Sequence, residues 1–186
     1  MLFRSYSRND IFGAFGTRYF DDLYITGGNT YSECLLGNNT KIYRLNADND
    51  SSYVQWQGRS NGTTYNGNYS YINNNNGDTN YIFSSTSGNQ AIFSFNNLSV
   101  NAASGIGGIQ IINIARNQSV DNSGFINVMT DSDETPIVYI GSGYTISSDQ
   151  YNSYSQFIFT NPITSGAWTT SDINNMQIGV KHLGSN

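Results

Sequence analysis

A chain of 186 residues with 37% hydrophobic and 14% aromatic residues is long enough to bury a core as one domain. Its formal net charge of -5, from 13 acids against 8 bases, argues against recognition of nucleic acid through phosphates, which needs clustered Lys and Arg. No apolar run is long enough for a membrane span and Met1-Leu-Phe-Arg4 opens no signal-peptide pattern, so neither nucleic acid nor membrane is an expected partner.

The 14 Tyr and 10 Phe favour strands, while Asn at about one residue in seven and 19 Gly favour turns and polar loops. Charged residues are only 11% of the chain, low for a free monomer whose solubility rests on charge. The surface is therefore expected to consist of Asn, Ser, Thr and Tyr and to suit broad polar contacts. Cys34 stands alone, which excludes an intrachain disulfide and reads as a strand or core position. Sequons begin at Asn38, Asn49, Asn61, Asn68, Asn97 and Asn117, as chance alone would give a chain so rich in Asn, Ser and Thr.

Residues 1–18 differ from the rest and form either a first strand with a frayed end or an arm. On the arm reading Phe3, Arg4, Tyr6, Arg8, Phe12, Phe15 and Arg18 dock on a neighbouring subunit, since aromatics and arginines dominate interface anchors. Residues 19–186 read as one β-sandwich domain. Arg18 to Ile25 is a strand stopped by Gly27-Gly28, and Asp21 and Asp22 point to opposite faces, so they make no shared metal or acid-base site. Thr40 to Leu45 is a further strand with Ile42 facing inward and Lys41 and Tyr43 outward. Asn46 to Ser52 offers oxygen ligands two apart but lacks the central Gly and closing Glu of a calcium loop, so it reads as a solvated turn.

Tyr53 to Trp56 is a short strand, with Trp56 either in the core or an exposed stacking platform. Arg59 to Asn80 is the most polar stretch and carries Asn76-Gly77, a hairpin signal. Its Tyr65, Tyr69 and Tyr71, with Trp56, are candidates for stacking on a host glycan, because Tyr among Asn, Gly and Ser is the mix of adaptable binding loops. The plainer reading is a hairpin with cross-strand tyrosines.

Tyr81 to Leu98 and Ile106 to Ala115 give the strongest strand signals, and the second, with isoleucines at both parities, is expected to be buried on both faces. Phe125 to Met129 and Pro136 to Ile140 flank Asp131-Ser-Asp-Glu134, an acidic hairpin loop with no second ligand cluster in sequence. Gly141 to Asp149 follows, then Tyr151 to Thr160, which alternates Tyr154, Gln156 and Ile158 with Ser155, Phe157 and Phe159. Near the C-terminus Thr170 or Ser171 caps a helix of about two turns with Asp172 near its N-terminus and Ile173 and Met176 on one face; Gln177 to Leu183 then reads as a closing strand. Short strands separated by Gly- and Asn-rich turns predict an all-β fold, an antiparallel β-sandwich or jelly roll with one short helix before the last strand.

Chemistry is sparse. His182 is the only histidine, it sits on the expected last strand as a surface or interface residue, and no serine lies in a nucleophile-elbow pattern. Glu33 and Glu134 are the only glutamates, and no zinc spacing, phosphate loop or dinucleotide fingerprint occurs, so no enzyme activity, cofactor or metal is expected.

The order Asn161-Pro-x-Thr-x-x-Ala-Trp-Thr169, then Asp172-Ile-Asn174, then Ile178-Gly-Val-Lys181 resembles the C-terminal signature of β-rich structural proteins of tailed-phage virions. Phe20-Asp-Asp-Leu-Tyr-Ile25, Gly77 to Gly88 and Ile109 to Arg116 resemble the same group in the same order, so the likeness covers most of the chain from Tyr19. It implies a non-enzymatic virion protein: an exterior capsid decoration or cement subunit, or a tail or fibre adhesin for host-surface carbohydrate. Expected partners are the major capsid protein or tail components and further copies of the chain. Only a brief segment precedes the Asp-Asp-Leu-Tyr motif where longer members carry another β domain, which favours the compact accessory subunit.

Overall fold

The computed structural model describes residues 42–60, 67–73, 79–100, 105–118 and 122–185. The chain divides into units Met1–Tyr43 and Arg44–Asn186, and every element below belongs to the second. The expected strand over Arg18 to Ile25, Cys34 and the arm over 1–18 lie outside the described residues.

The fold is all-β. Its main sheet is antiparallel and has five strands in the order β1 (Ala47–Val54), β4 (Gln90–Phe95), β9 (Gln177–Ser185), β6 (Ser123–Thr130) and β7 (Val138–Ile146). Two antiparallel pairs accompany it: β2 (Gln57–Ser60) with β3 (Asn80–Phe83), and β5 (Ile109–Ala115) with β8 (Asn152–Ile158). Two short helices, α1 (Tyr69–Ile72) and α2 (Thr170–Asn175), complete the described elements.

Residues directly opposite in an antiparallel pair share a face. Phe93, Ile178 and Met129 are opposed across β4, β9 and β6, so one face of the sheet runs through both hydrophobic clusters. On the β1–β4 side, Ala47, Ala91 and Phe93 are covered by Trp56, Tyr69 and Ile82. On the other side Met129, Ile140 and Ile178 pack with Ile111 and Ile158 of the β5–β8 ribbon and with Trp168, Ile173 and Met176 around α2. Phe95 touches both clusters. The ribbon thus forms a second layer, and each large apolar side chain buried between the layers contributes about 1.5–3 kcal/mol.

A polar chain runs through this interface. Asn113 of β5 donates to Asn127 Oδ1 at 2.8 Å, and Asn127, 0% exposed, donates to Gln156 Oε1 of β8 at 2.9 Å. Beside it the rings of Phe125, Tyr144 and Tyr154 lie 5.1–5.5 Å apart, and the Tyr144 hydroxyl donates to the Ser155 carbonyl at 2.9 Å. The alternation of β8 makes this possible: Tyr154, Gln156 and Ile158 point inward while Ser155 and Phe157 point out. Gly141, at φ 75°, leaves the space that the Gln156 amide fills, 2.6 Å from where a Cβ would sit.

Several expectations are corrected. Asn46 to Ser52 is not a turn: Ala47 onward is β1, paired with β4 through two register shifts, and the side chains that look like turn formers bond to other elements. Ile42 to Leu45 forms no strand and Ile42 is exposed. Tyr69 and Tyr71 are not cross-strand partners but sit two apart on α1. The strand over Ile109 to Ala115 is buried on one face only, because its β5–β8 layer is a two-stranded ribbon with a single apolar sheet beneath it. The expected closing strand is present as β9, inserted between β4 and β6.

Candidate functional site

The stretch from Asn161 to Met176 is a self-bonded scaffold. Asn161 is buried, accepts at Oδ1 from Ile163 N at 2.9 Å and Thr164 N at 3.4 Å, and its amide donates to the Gly166 carbonyl at 2.9 Å. Ser165 takes φ 60° at the tip. The chain then delivers Trp168 into the core, where its indole N–H donates to the Ile158 carbonyl at 2.9 Å and its backbone bridges Ile106. Burial of the large ring, with its one polar atom satisfied, makes this residue an anchor.

The helix begins one residue earlier than expected, with Thr169 rather than Thr170 or Ser171 as N-cap. Asp172 N donates to Thr169 Oγ1 at 3.1 Å, while Asp172 Oδ2 accepts from Thr169 N at 2.8 Å, a reciprocal capping box. Ile173 and Met176 face the core as the spacing predicts. Asn174 ties α2 to the segment after β4, accepting from Leu98 N at 2.7 Å.

Between this scaffold and the β6–β7 loop lies a cleft of about 270 Å3. Met129, Trp168 and Met176 supply its apolar part; Asp131, Asp133 and Ser132 line it from the loop, and Asn161, Thr164, Asp172 and Asn175 from the scaffold. Two of the carboxylates are already engaged: Asp172 closes the capping box, and Asp131 Oδ1 accepts from Asp133 N at 3.0 Å. Glu134, at φ 60°, turns away from the cleft lining to bond Ser52 of β1, accepting from its amide at 2.7 Å and from its hydroxyl. The acidic turn is thus a hairpin loop pinned to β1. Among the described residues no three His, Cys, Asp or Glu side chains are grouped to hold a metal, and no histidine, cysteine or lysine lines this cleft.

The proposed docking residues Phe3, Arg4, Tyr6, Arg8, Phe12, Phe15 and Arg18, and Tyr65 of the stacking set, lie outside the described residues. Of the other three stacking candidates, Trp56 and Tyr69 pack against the β1–β4 cluster and Tyr71 lies against β2. Trp56 is half-buried, donates its indole N–H to the Asn89 carbonyl at 3.0 Å and meets His182 edge-on with centroids 6.3 Å apart. Tyr69 packs on the Ala47, Ala91 and Phe93 cluster. The Tyr71 ring lies directly against Gly58 of β2, in the space a Cβ would take. All three rings are used within the chain.

Two features went unread in the sequence. Asp50 of β1 caps α1 from a distance, accepting from Asn68 N at 2.6 Å and Tyr69 N at 2.8 Å. His182, expected at a surface or an interface, is 8% exposed within the chain itself; its Nε2 lies 2.7 Å from Ser123 Oγ, and its Nδ1 has no hydrogen-bond partner among the described residues. Its burial follows from the central position of β9, which the local sequence does not encode. Among the described residues no third group orients the imidazole, and the Ser-His contact runs across β6 and β9. No family model, curated protein or solved structure matches the chain.

Proposed function

We propose that this chain is a non-enzymatic structural subunit of a tailed-phage virion, a decoration or cement protein on the capsid exterior that acts through subunit contacts. The observation that carries the reading is the ordered motif set ending in Asn161 to Lys181. Its residues serve the fold rather than a reaction: Asn161 closes the turn, Trp168 fills the core, Thr169 and Asp172 cap α2, and Gly179 lets β9 pass close to β4. A signature devoted to packing is what a family of structural proteins would share, whereas an enzyme family would share reacting groups.

The pairing of the sole histidine with Ser123 inside the sheet, with no orienting partner among the described residues, accords with a non-catalytic role. The tail-adhesin reading is second, since Trp56 and Tyr69 are engaged in the core rather than offered to a sugar. The test is subunit-resolved imaging of purified particles, with the wild-type chain and a deletion of residues 1–18. Many copies spread over the head, lost on deletion while the sheet stays folded, is the expected result; full incorporation of the truncated chain overturns the arm, and a few copies at a tail or vertex overturns decoration.

A further inference from the structure

An antiparallel layer facing water should alternate apolar-in with polar-out. The β5–β8 ribbon does not. On its outer face Ile112 is 58% exposed, Ile114 50%, Phe157 60%, and Phe159 just beyond the strand 72%. The register places Ile112 opposite Ser155, Ile114 opposite Ser153 and Gln110 opposite Phe157, so these side chains form one patch across both strands. Phe157 and Phe159 stack with an interplanar angle of 10° and centroids 6.3 Å apart, presenting two nearly parallel rings.

The inner face of the same ribbon is fully accounted for by Ile111, Ile158 and the Asn113–Asn127–Gln156 chain. Folding therefore does not require isoleucine or phenylalanine outside; a serine there would leave the core unchanged. With about 150–250 Å2 to each Phe and somewhat less to each Ile, the four exposed fractions leave roughly 500 Å2 of largely apolar area open, toward the upper end of what a monomer shows.

We propose that this outer face is a self-association surface, on which the ribbons of two copies of this chain pack face to face about a twofold axis near Ile112 and Ser155. Three observations select a second copy over another partner. The face holds no charged side chain along either strand, so bringing it against itself sets no like charges together. A twofold contact needs one self-complementary patch, and here the central Ile112 is flanked by Phe157 on one side and Ile114 on the other, allowing rings of one copy to fill the aliphatic half of the next. The apolar area with its Ser153, Ser155 and Gln110 surround approaches the roughly 800 Å2 per partner of a stable interface. Two ribbons at the usual sheet spacing of about 10 Å would form a small four-stranded sandwich between the copies. The proposal does not rest on the virion role.

Sedimentation velocity on the full chain tests it without any particle. Wild type is expected to form dimers at about 100 µM, and Ile112→Ser with Phe157→Ser to weaken association at least about tenfold, with unchanged circular dichroism and Tm. Ser155→Cys in a Cys34→Ser background should give a covalent dimer with a short bismaleimide, and Ser99→Cys in the same background should not. A wild type that stays monomeric at that concentration, self-association that survives the double substitution, or no cross-link through residue 155 overturns the proposal; the first of these would leave the face to a different protein.

Discussion

Asn113 on β5 and Asn127 on β6 are joined by a 2.8 Å amide hydrogen bond in the middle of the interface between the two layers. A buried polar chain of this sort is stabilising only while every member is satisfied. Replacing Asn127 with Leu strands Asn113 and Gln156 together. The expected cost is about 2–4 kcal/mol, seen as a Tm lower by about 5–10 °C. Urea unfolding with an unchanged m-value would show that the loss is in stability and not in the extent of the fold.

Trp168 provides a second test of the same packing. Trp168→Phe keeps a six-membered aromatic ring in the core but removes the pyrrole portion and leaves the Ile158 carbonyl without its donor, for an expected loss of about 1–3 kcal/mol. Trp168→Ala, which also opens a cavity, should cost about 3–5 kcal/mol. Denaturant midpoints of the two variants separate the hydrogen bond from the volume.

Asp50 holds α1 from outside it. Asp50→Ala removes both acceptors from the Asn68 and Tyr69 amides, leaving the four-residue helix to the packing of its tyrosines and to the Asn68 and Asn73 side chains, which donate to the Trp56 and Ala47 carbonyls. The expected change is a loss of about 1–3 kcal/mol, with amide exchange at Asn68 and Tyr69 accelerating more than in β4. Uniform acceleration throughout the sheet would mean that Asp50 supports β1 and not the helix.

Gly179 is where β9 comes closest to β4. A Cβ there would sit 2.6 Å from the Ile92 Cα and overlap the Ala91 carbonyl. Since backbone cannot yield as a flexible side chain can, Gly179→Ala should cost about 3 kcal/mol or more, and soluble yield with a thermal melt measures it. Gly88→Ala, with open space around it but φ 88°, should cost less, about 1 kcal/mol.

Local signals carried the local structure. The helix at Thr170–Asn175 was legible because a cap, an acidic first turn and an apolar pair coincide, and the alternation of Tyr154, Gln156 and Ile158 gave the inward face of β8. What failed was tertiary. Asn46 to Ser52 looks like a turn because Asn, Asp and Ser favour their own backbone, yet Asp48, Asp50 and Ser52 spend those side chains on Ser94, on α1 and on Glu134. The isoleucines of β5 fit a strand buried on both faces, and periodicity cannot reveal that only one face finds a sheet. Nothing around His182 tells that its strand is central. Of the cleft, the acidic turn and the Trp168 stretch were each visible, but not that they meet.

The position of β9 bears on how the protein is made. In the order β1, β4, β9, β6, β7 the first pair and the last pair join into one sheet only through the strand between them, with the Glu134–Ser52 contact as a tie from the β6–β7 loop to β1. Until residues 177–185 are in place, β4 and β6 each present an edge that β9 has yet to fill. The sheet closes only when residues 177–185 are free to enter, so its completion waits on that segment and on a non-local step of the kind that slows folding.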